Sequence, residues 1–255
     1  MRMRRKSWTE PLLDSCPYLI NGARDHRGNW RPMFKNPDAP LHLEIGCGKG
    51  VSTAKMAHEN PDVNFIAIDE VRHVLAVTIK NTMKEYGEDS VDNLLLSAVD
   101  AMFILDSFAP EDGVSRIYIN FPNPWDEKAK QHKRRLTHPR QLLQYRGFLK
   151  PGGEIHFKTD DVPLFIATQR YLKMSGFEIT YLTDDLHNSG YTPNYVSEHE
   201  AMYAGRGMAI HFLIARMANL PEDFVLEVDG HRIDQVEVGA DIRKKKALER
   251  AEAAE

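Results

Sequence analysis

Cysteine is scarce in this chain: Cys16 and Cys47 are the only two among 255 residues. Their placement forms neither a zinc pair nor a disulfide framework. That excludes a cysteine-stapled secreted domain and points to a reducing cytoplasm. Long apolar runs are absent too, which argues against a membrane span. The opening MRMRRKSWTEP lacks the apolar core of a signal peptide. An overall basic excess is also missing, since 33 Lys and Arg face 37 Asp and Glu for a net charge of −4. No G-K-[ST] closes a phosphate loop, and no residue spacing suggests a metal site.

What is present is local. Positive charge gathers in RMRRK (Arg2–Lys6), KAKQHKRR (Lys128–Arg135) and RKKK (Arg243–Lys246). Such patches bind a polyanion while the remaining surface stays acidic. From about Leu41 onward, short β-rich runs alternate with helical segments. The strand candidates are LHLEIG, FIAID, LLLSAV, RIYINF, EIHFKT, FEITYL and MAIHFLIA. Between them, VRHVLAVTIKNTMKEY carries apolar residues at Val71, Val74, Leu75 and Ile79, one helical stripe.

Near-continuous apolar strands separated by helices predict an α/β, Rossmann-like fold. Its mostly parallel seven-stranded sheet has helices on both faces and a last strand that is antiparallel. Lys150–Glu154, KPGGE, reads as a turn between helix and strand. The expected organisation is a basic, extended arm over residues 1–39, a central domain over 40–218 and an extension over 219–255. That extension holds a candidate hairpin and a charged tail.

Chemistry concentrates in LHLEIGCGKG. Glu44 lies on the first strand, and Gly46, Gly48 and Gly50 form a tight turn before a helix. A dinucleotide fingerprint requires glycine at position 51, where Val51 stands. Carboxylates around a glycine loop suit a cationic ligand with an ammonium and a sulfonium, S-adenosylmethionine, better than a phosphate. Asp69 ends the second strand about 20 residues past the loop, where an acid grips ribose hydroxyls. Asp100 ends the third, placed to accept from an adenine amino group. Plainer readings compete: Asp100 also suits a helix N-cap, Asp69 and Glu70 suit a first helical turn, and Cys47 suits packing.

The fourth strand runs into NFPNPW. Pro122 and Pro124 stop any helix and hold Asn123 and Trp125 in a fixed loop beside the expected cofactor crevice. Trp125 suits either base stacking or packing. The basic run that follows suits phosphate binding.

Together, RMRRKSW, LEIGCGKG, IYINFPNPW, HKRRL, FLKPGGEIHFKTDD and SEHE resemble the bacterial tRNA guanine-N7 methyltransferase family over roughly Arg2 to Met217. The resemblance implies methyl transfer from S-adenosylmethionine to N7 of a guanine in the tRNA variable loop. It implies an enzyme with tRNA as partner, in keeping with the cytoplasm that the cysteines suggest, and leaves monomer or homodimer open. On it, Glu44, Asp69 and Asp100 fall on cofactor carboxylates. Asn123 falls where the family carries a catalytic, cofactor-contacting aspartate in D-P-W-P. Lys128, Asp160, Ser197, Glu198, His199 and Glu200 fall on substrate-binding positions, the last four on T-x-[YF]-E. Asp160 and Glu200 are expected to clamp the guanine's N1–H and amino group. Departures at Asn123, Asp126-Glu127 and His199 leave two alternatives: a tRNA-binding paralogue with little catalysis, or a methyltransferase acting on a small molecule.

Overall fold

The computed structural model describes residues 7–221, 224–228 and 231–233. The chain enters through α1 (Thr9–Ser15) and a two-residue strand, β1 (Leu19–Ile20). Then follow β2 (Leu41–Ile45), α2 (Val51–His58), β3 (Asn64–Asp69), α3 (Arg72–Tyr86) and β4 (Leu94–Ala98). The second half holds β5 (Val114–Asn120), α4 (Pro139–Arg146), β6 (Leu149–Thr159), α5 (Val162–Met174), β7 (Phe177–Thr183), α6 (Glu198–Ala204) and β8 (His211–Met217). A separate antiparallel pair, β9 (Leu226–Val228) and β10 (His231–Ile233), stands where the extension was expected to hold a hairpin. The charged tail and the clusters at Arg2–Lys6 and Arg243–Lys246 lie outside the described residues.

All seven expected strands form, in the order β1-β4-β3-β2-β5-β6-β8-β7, with β8 antiparallel to both neighbours. The sheet has eight strands because Leu19 and Ile20 pair in parallel with Leu96 and Ser97. Residues 9–39 therefore differ from the extended arm that their composition suggests. Trp30 is fully buried, stacks on Phe108 and donates its indole N–H to the Ser107 carbonyl at 2.8 Å. The buried Asp112 carboxylate accepts backbone N–H bonds from Gly28, Trp30 and Ala109, which closes this segment onto the domain. The KPGGE turn also differs. It bulges out within β6, where pairing jumps from Val114–Leu149 to Arg116–Glu154.

One sheet face is apolar through the centre: Leu43, Ile45, Ile117, Ile119, Ile155, Phe157, Leu213 and Ala215 are all buried. The other face carries His42 and Glu44 on β2, Arg116, Tyr118 and Asn120 on β5, and Glu154, His156 and Lys158 on β6, because side chains alternate along a strand. The near-continuous apolar pattern read from the sequence thus holds for β3 and β4 but not for β5. Connections reverse direction between β2 and β5, and at such a switch point the carboxyl ends of the strands leave a crevice.

Candidate active site

Five loops meet at that edge: those after β2, β3, β4, β5 and β6. After β2 the chain turns through Gly46, Gly48 and Gly50, with φ of +79°, +55° and +68°. These are left-handed values that only glycine adopts freely. Gly46 and Cys47 donate their N–H groups to the Ile68 carbonyl, which stitches the loop to β3. A Cβ on Gly50 would stand 2.2 Å from Thr78 Cγ2, so that glycine is required by packing. A Cβ on Gly48 would meet nothing within 4 Å, so its backbone faces open space.

Asp69 stands against the loop. Its Oδ2 accepts from Gly48 N at 3.0 Å and its Oδ1 from Val71 N at 2.8 Å, while burial pushes its carboxyl up. Asp100 caps the short 3₁₀ turn Ala101–Asp106 through Met102 N at 2.9 Å, as the plainer reading expects. It also lines a cavity of about 320 Å³ with Gly22, Ala98, Val99 and Phe103. The two roles are compatible, because a carboxylate has more lone pairs than one N–H consumes.

Glu44 differs from an open ligand contact. It is buried, accepts from the Thr53 hydroxyl and, at 2.9 Å, from Asn120 Nδ2. Burial raises its carboxyl's affinity for a proton despite those two bonds and the nearby Lys158. As placed, it ties β2, α2 and β5 together beneath the glycine loop.

After β5, Phe121 and Trp125 both take left-handed backbone, with φ of +50° and +47°. Non-glycine residues adopt this conformation uncommonly, and bulky ones least of all. Asn123 is exposed, and its Oδ1 accepts from Trp125 N at 3.0 Å. The Arg134 guanidinium lies 4.0 Å from the Trp125 ring centroid, which occupies one ring face. Lys128 is exposed and precedes the 3₁₀ turn Ala129–Arg134.

After β6, Asp161 caps α5 through Leu164 N at 2.6 Å, which leaves the half-buried Asp160 beside it at the crevice. Ser197 caps α6 through Glu200 N at 3.2 Å. Glu198 pairs with Lys49 of the glycine loop at 2.6 Å, and His199 packs its ring against Phe121 and Tyr203. The fourth residue of this motif faces inward. Glu200 is fully buried, with Lys158, Asn194 and His187 around its two oxygens. Of the two carboxylates expected at the guanine, Asp160 is half-buried just past the end of β6, and Glu200 is enclosed, paired with a buried lysine.

The site therefore unites the glycine loop, Asp69 and Asp100 on one side with the PNPW loop, Asp160 and the start of α6 on the other. A family model described as "Putative methyltransferase" matches residues 38–213. The tRNA (guanine-N(7)-)-methyltransferase of Clostridium perfringens strain SM101 is 48% identical over 218 residues, spanning 85% of this chain and 99% of that protein. This chain belongs to the tRNA (guanine-N(7)-)-methyltransferase family.

Two other members, from Clostridium beijerinckii and Acetivibrio thermocellus, are 48% and 44% identical over 86% and 84% of this chain, and over 100% and 99% of their own lengths. Among solved structures, the 16S rRNA methyltransferase KamB superposes with a TM-score of 0.53 at 13% identity. It covers 74% of this chain and 91% of its own, a likeness of fold. The sequence pattern did not single out Asn120 and Thr53, the partners of Glu44, or Lys158, the partner of Glu200. The period-two alternation in RIYIN and HFKT does place Asn120 and Lys158 on the polar face with Glu44. Nothing local marks Thr53 as Glu44's partner.

Proposed function

We propose that this protein transfers the methyl group of S-adenosylmethionine to N7 of a guanine in the variable loop of tRNA, in the cytoplasm. The observation that carries the reading is the junction of the glycine loop with the strained PNPW loop at one switch point, next to an exposed basic run. The residues present fit the cofactor. Gly48 leaves its backbone facing open space, Asp69 stands against the same loop where it would accept from ribose hydroxyls, and Asp100 lines a cavity with the apolar Phe103. When bound, the cofactor supplies an electrophilic methyl on a sulfonium.

Guanine N7 presents a lone pair and loses no proton on methylation, so the chain needs orientation more than a strong base. Asp69 and Asp100 hold the nucleoside portion, and Glu44 acts through Asn120 and Thr53 to fix the loops. Asn123 orients the reacting centre, with its side chain pinned by Trp125 N. Asp160 accepts from the guanine's N–H groups, Ser197, Glu198 and His199 shape the opposite wall, and Lys128 meets phosphate. Extracting the base from its stack costs a few kcal/mol, which the basic run and the aromatic wall offset.

The test is methyl transfer from labelled S-adenosylmethionine to unmodified tRNA, with the product nucleoside identified and mapped by mass spectrometry. N7-methylguanosine in the variable loop is expected. Tight tRNA binding with the cofactor bound and no product would replace this reading with a binding paralogue.

A further inference from the structure

The basic run Lys128–Arg135 divides into two kinds of residue. Lys128, Lys130, Lys133 and Arg134 are exposed, whereas Arg135 is 4% exposed. No carboxylate of the described residues is paired with it. Its side chain runs back into the PNPW loop, where Arg135 Nε donates to the Pro124 carbonyl at 2.6 Å.

That loop needs an external hold. Pro122 and Pro124 have no N–H to donate, and the residues at Phe121 and Trp125 sit in unfavourable left-handed backbone. Phe121 N is held by the Lys158 carbonyl at 2.9 Å, and Trp125 N by the Asn123 side chain. Arg135 supplies a third hold, at the Pro124 carbonyl between Asn123 and Trp125.

Arg135 is itself firmly placed. Its N–H donates to the His132 carbonyl and its carbonyl accepts from His138 N, both at 3.0 Å. The next residue, Leu136, approaches Gly46 of the glycine loop, and its carbonyl accepts from the Tyr145 hydroxyl at 2.9 Å. A short chain of contacts thus joins the glycine loop to Pro124 through Leu136 and Arg135.

We propose that Arg135 is a positioning residue for methyl transfer: it fixes the Pro124 carbonyl, and so Asn123 and Trp125, and contacts neither tRNA phosphate nor cofactor. The proposal rests on the reading that Asn123 stands at the reacting centre. A misplacement of about 1 Å at such a centre lowers rate about a hundredfold without weakening binding.

The experiment uses the full chain as wild type, Arg135→Lys and Arg135→Gln. It measures steady-state methyl transfer to unmodified tRNA and the tRNA Kd across a salt series. Both variants are expected to lose at least about tenfold in kcat. KM for S-adenosylmethionine and the salt slope of tRNA binding should stay at wild-type values. Lys133→Gln calibrates the slope, since each lost phosphate contact lowers it by about 0.7–0.9.

Wild-type kcat in both variants overturns the proposal, as does a lowered salt slope, which makes Arg135 a phosphate contact. A selective rise in KM for S-adenosylmethionine overturns it as well. Arg135→Lys keeps stem and charge, and it decides the matter if thermal melting shows Arg135→Gln unfolded. Unfolding of both makes Arg135 a determinant of folding and ends the proposal. Absence of N7-methylguanosine with the wild-type chain would instead sink the functional reading itself.

Discussion

Lys158 Nζ lies 3.2 Å from Glu200 Oε2, an ion pair between β6 and α6 in which Glu200 has no solvent exposure. Asn194 bridges the pair, donating to Glu200 Oε1 at 2.6 Å while its own oxygen accepts from Lys158. His187 approaches the same carboxylate at 3.1 Å. The long segment between β7 and α6 is therefore latched to the sheet by charge. Burial pulls the Lys158 amine down, and Glu200 opposes that pull.

Removing one member of a buried pair leaves an uncompensated charge, which costs about 3–5 kcal/mol. Glu200→Ala is expected to lose that much in urea unfolding. The double variant Lys158→Met, Glu200→Leu should recover most of it. A loss under about 1 kcal/mol in the single variant would show that the pair does not latch the segment.

Gly48 faces open space, whereas Gly50 packs against Thr78. Both have positive φ, yet only at Gly50 does an added Cβ collide, with Thr78. Gly48→Ala carries the left-handed backbone cost of about 1–2 kcal/mol. It is expected to fold and to raise KM for S-adenosylmethionine about tenfold or more. Gly50→Ala should lower the melting temperature further. Equal effects of the two on cofactor binding and on melting would remove the distinction.

The strand and loop pattern made much of this architecture legible. Seven strands, the glycine turn and the acids at three strand ends follow from periodicity and residue chemistry, and the structure places them at one edge. The fate of each carboxylate was not legible, because it depends on partners far along the chain. Glu44 turns inward to Thr53 and Asn120, and Glu200 to Lys158, with |i−j| of 9, 76 and 42. The packing of residues 9–39 is hidden from the sequence for a related reason. Their Pro, Arg and Trp content looks extended, but Trp30 is held by Asp112 and Ser107, which a local window does not contain.

His42 predicts an acid limb of stability. Burial, then the charges of Arg116 and His156, push its imidazole down to about 3, with Glu154 opposing. The unfolded value is about 6.5. A group whose folded value is depressed contributes its stabilisation above the unfolded value, and that contribution is lost as pH falls from about 6.5 toward 3. Linkage puts the loss at about 2 kcal/mol by pH 5. His42→Gln is expected to show a correspondingly smaller fall in unfolding free energy between pH 7.5 and 5. An identical fall in both proteins would assign the acid limb to other groups.

Asn123 falls where the resemblance to the family implies an aspartate, and its geometry says what introducing the acid should do. The side-chain oxygen already accepts from Trp125 N at 3.0 Å, a role a carboxylate fills without moving the loop. Asp adds a negative charge on the exposed side of that loop, which on the proposed function would favour a sulfonium bound beside it. Charge-assisted hydrogen bonds are roughly twice as strong as neutral ones, a gain of about 1 kcal/mol, or about fivefold. Asn123→Asp is therefore expected to lower KM for S-adenosylmethionine, or raise kcat, by about fivefold. Asn123→Ala frees Trp125 N and should cut kcat tenfold or more, as removal of a loop hold at the reacting centre does. Steady-state methyl transfer on the three proteins decides. If Asp leaves both constants unchanged while Ala lowers kcat, the residue works by holding Trp125 alone. If neither variant changes either constant, Asn123 has no part in the reaction.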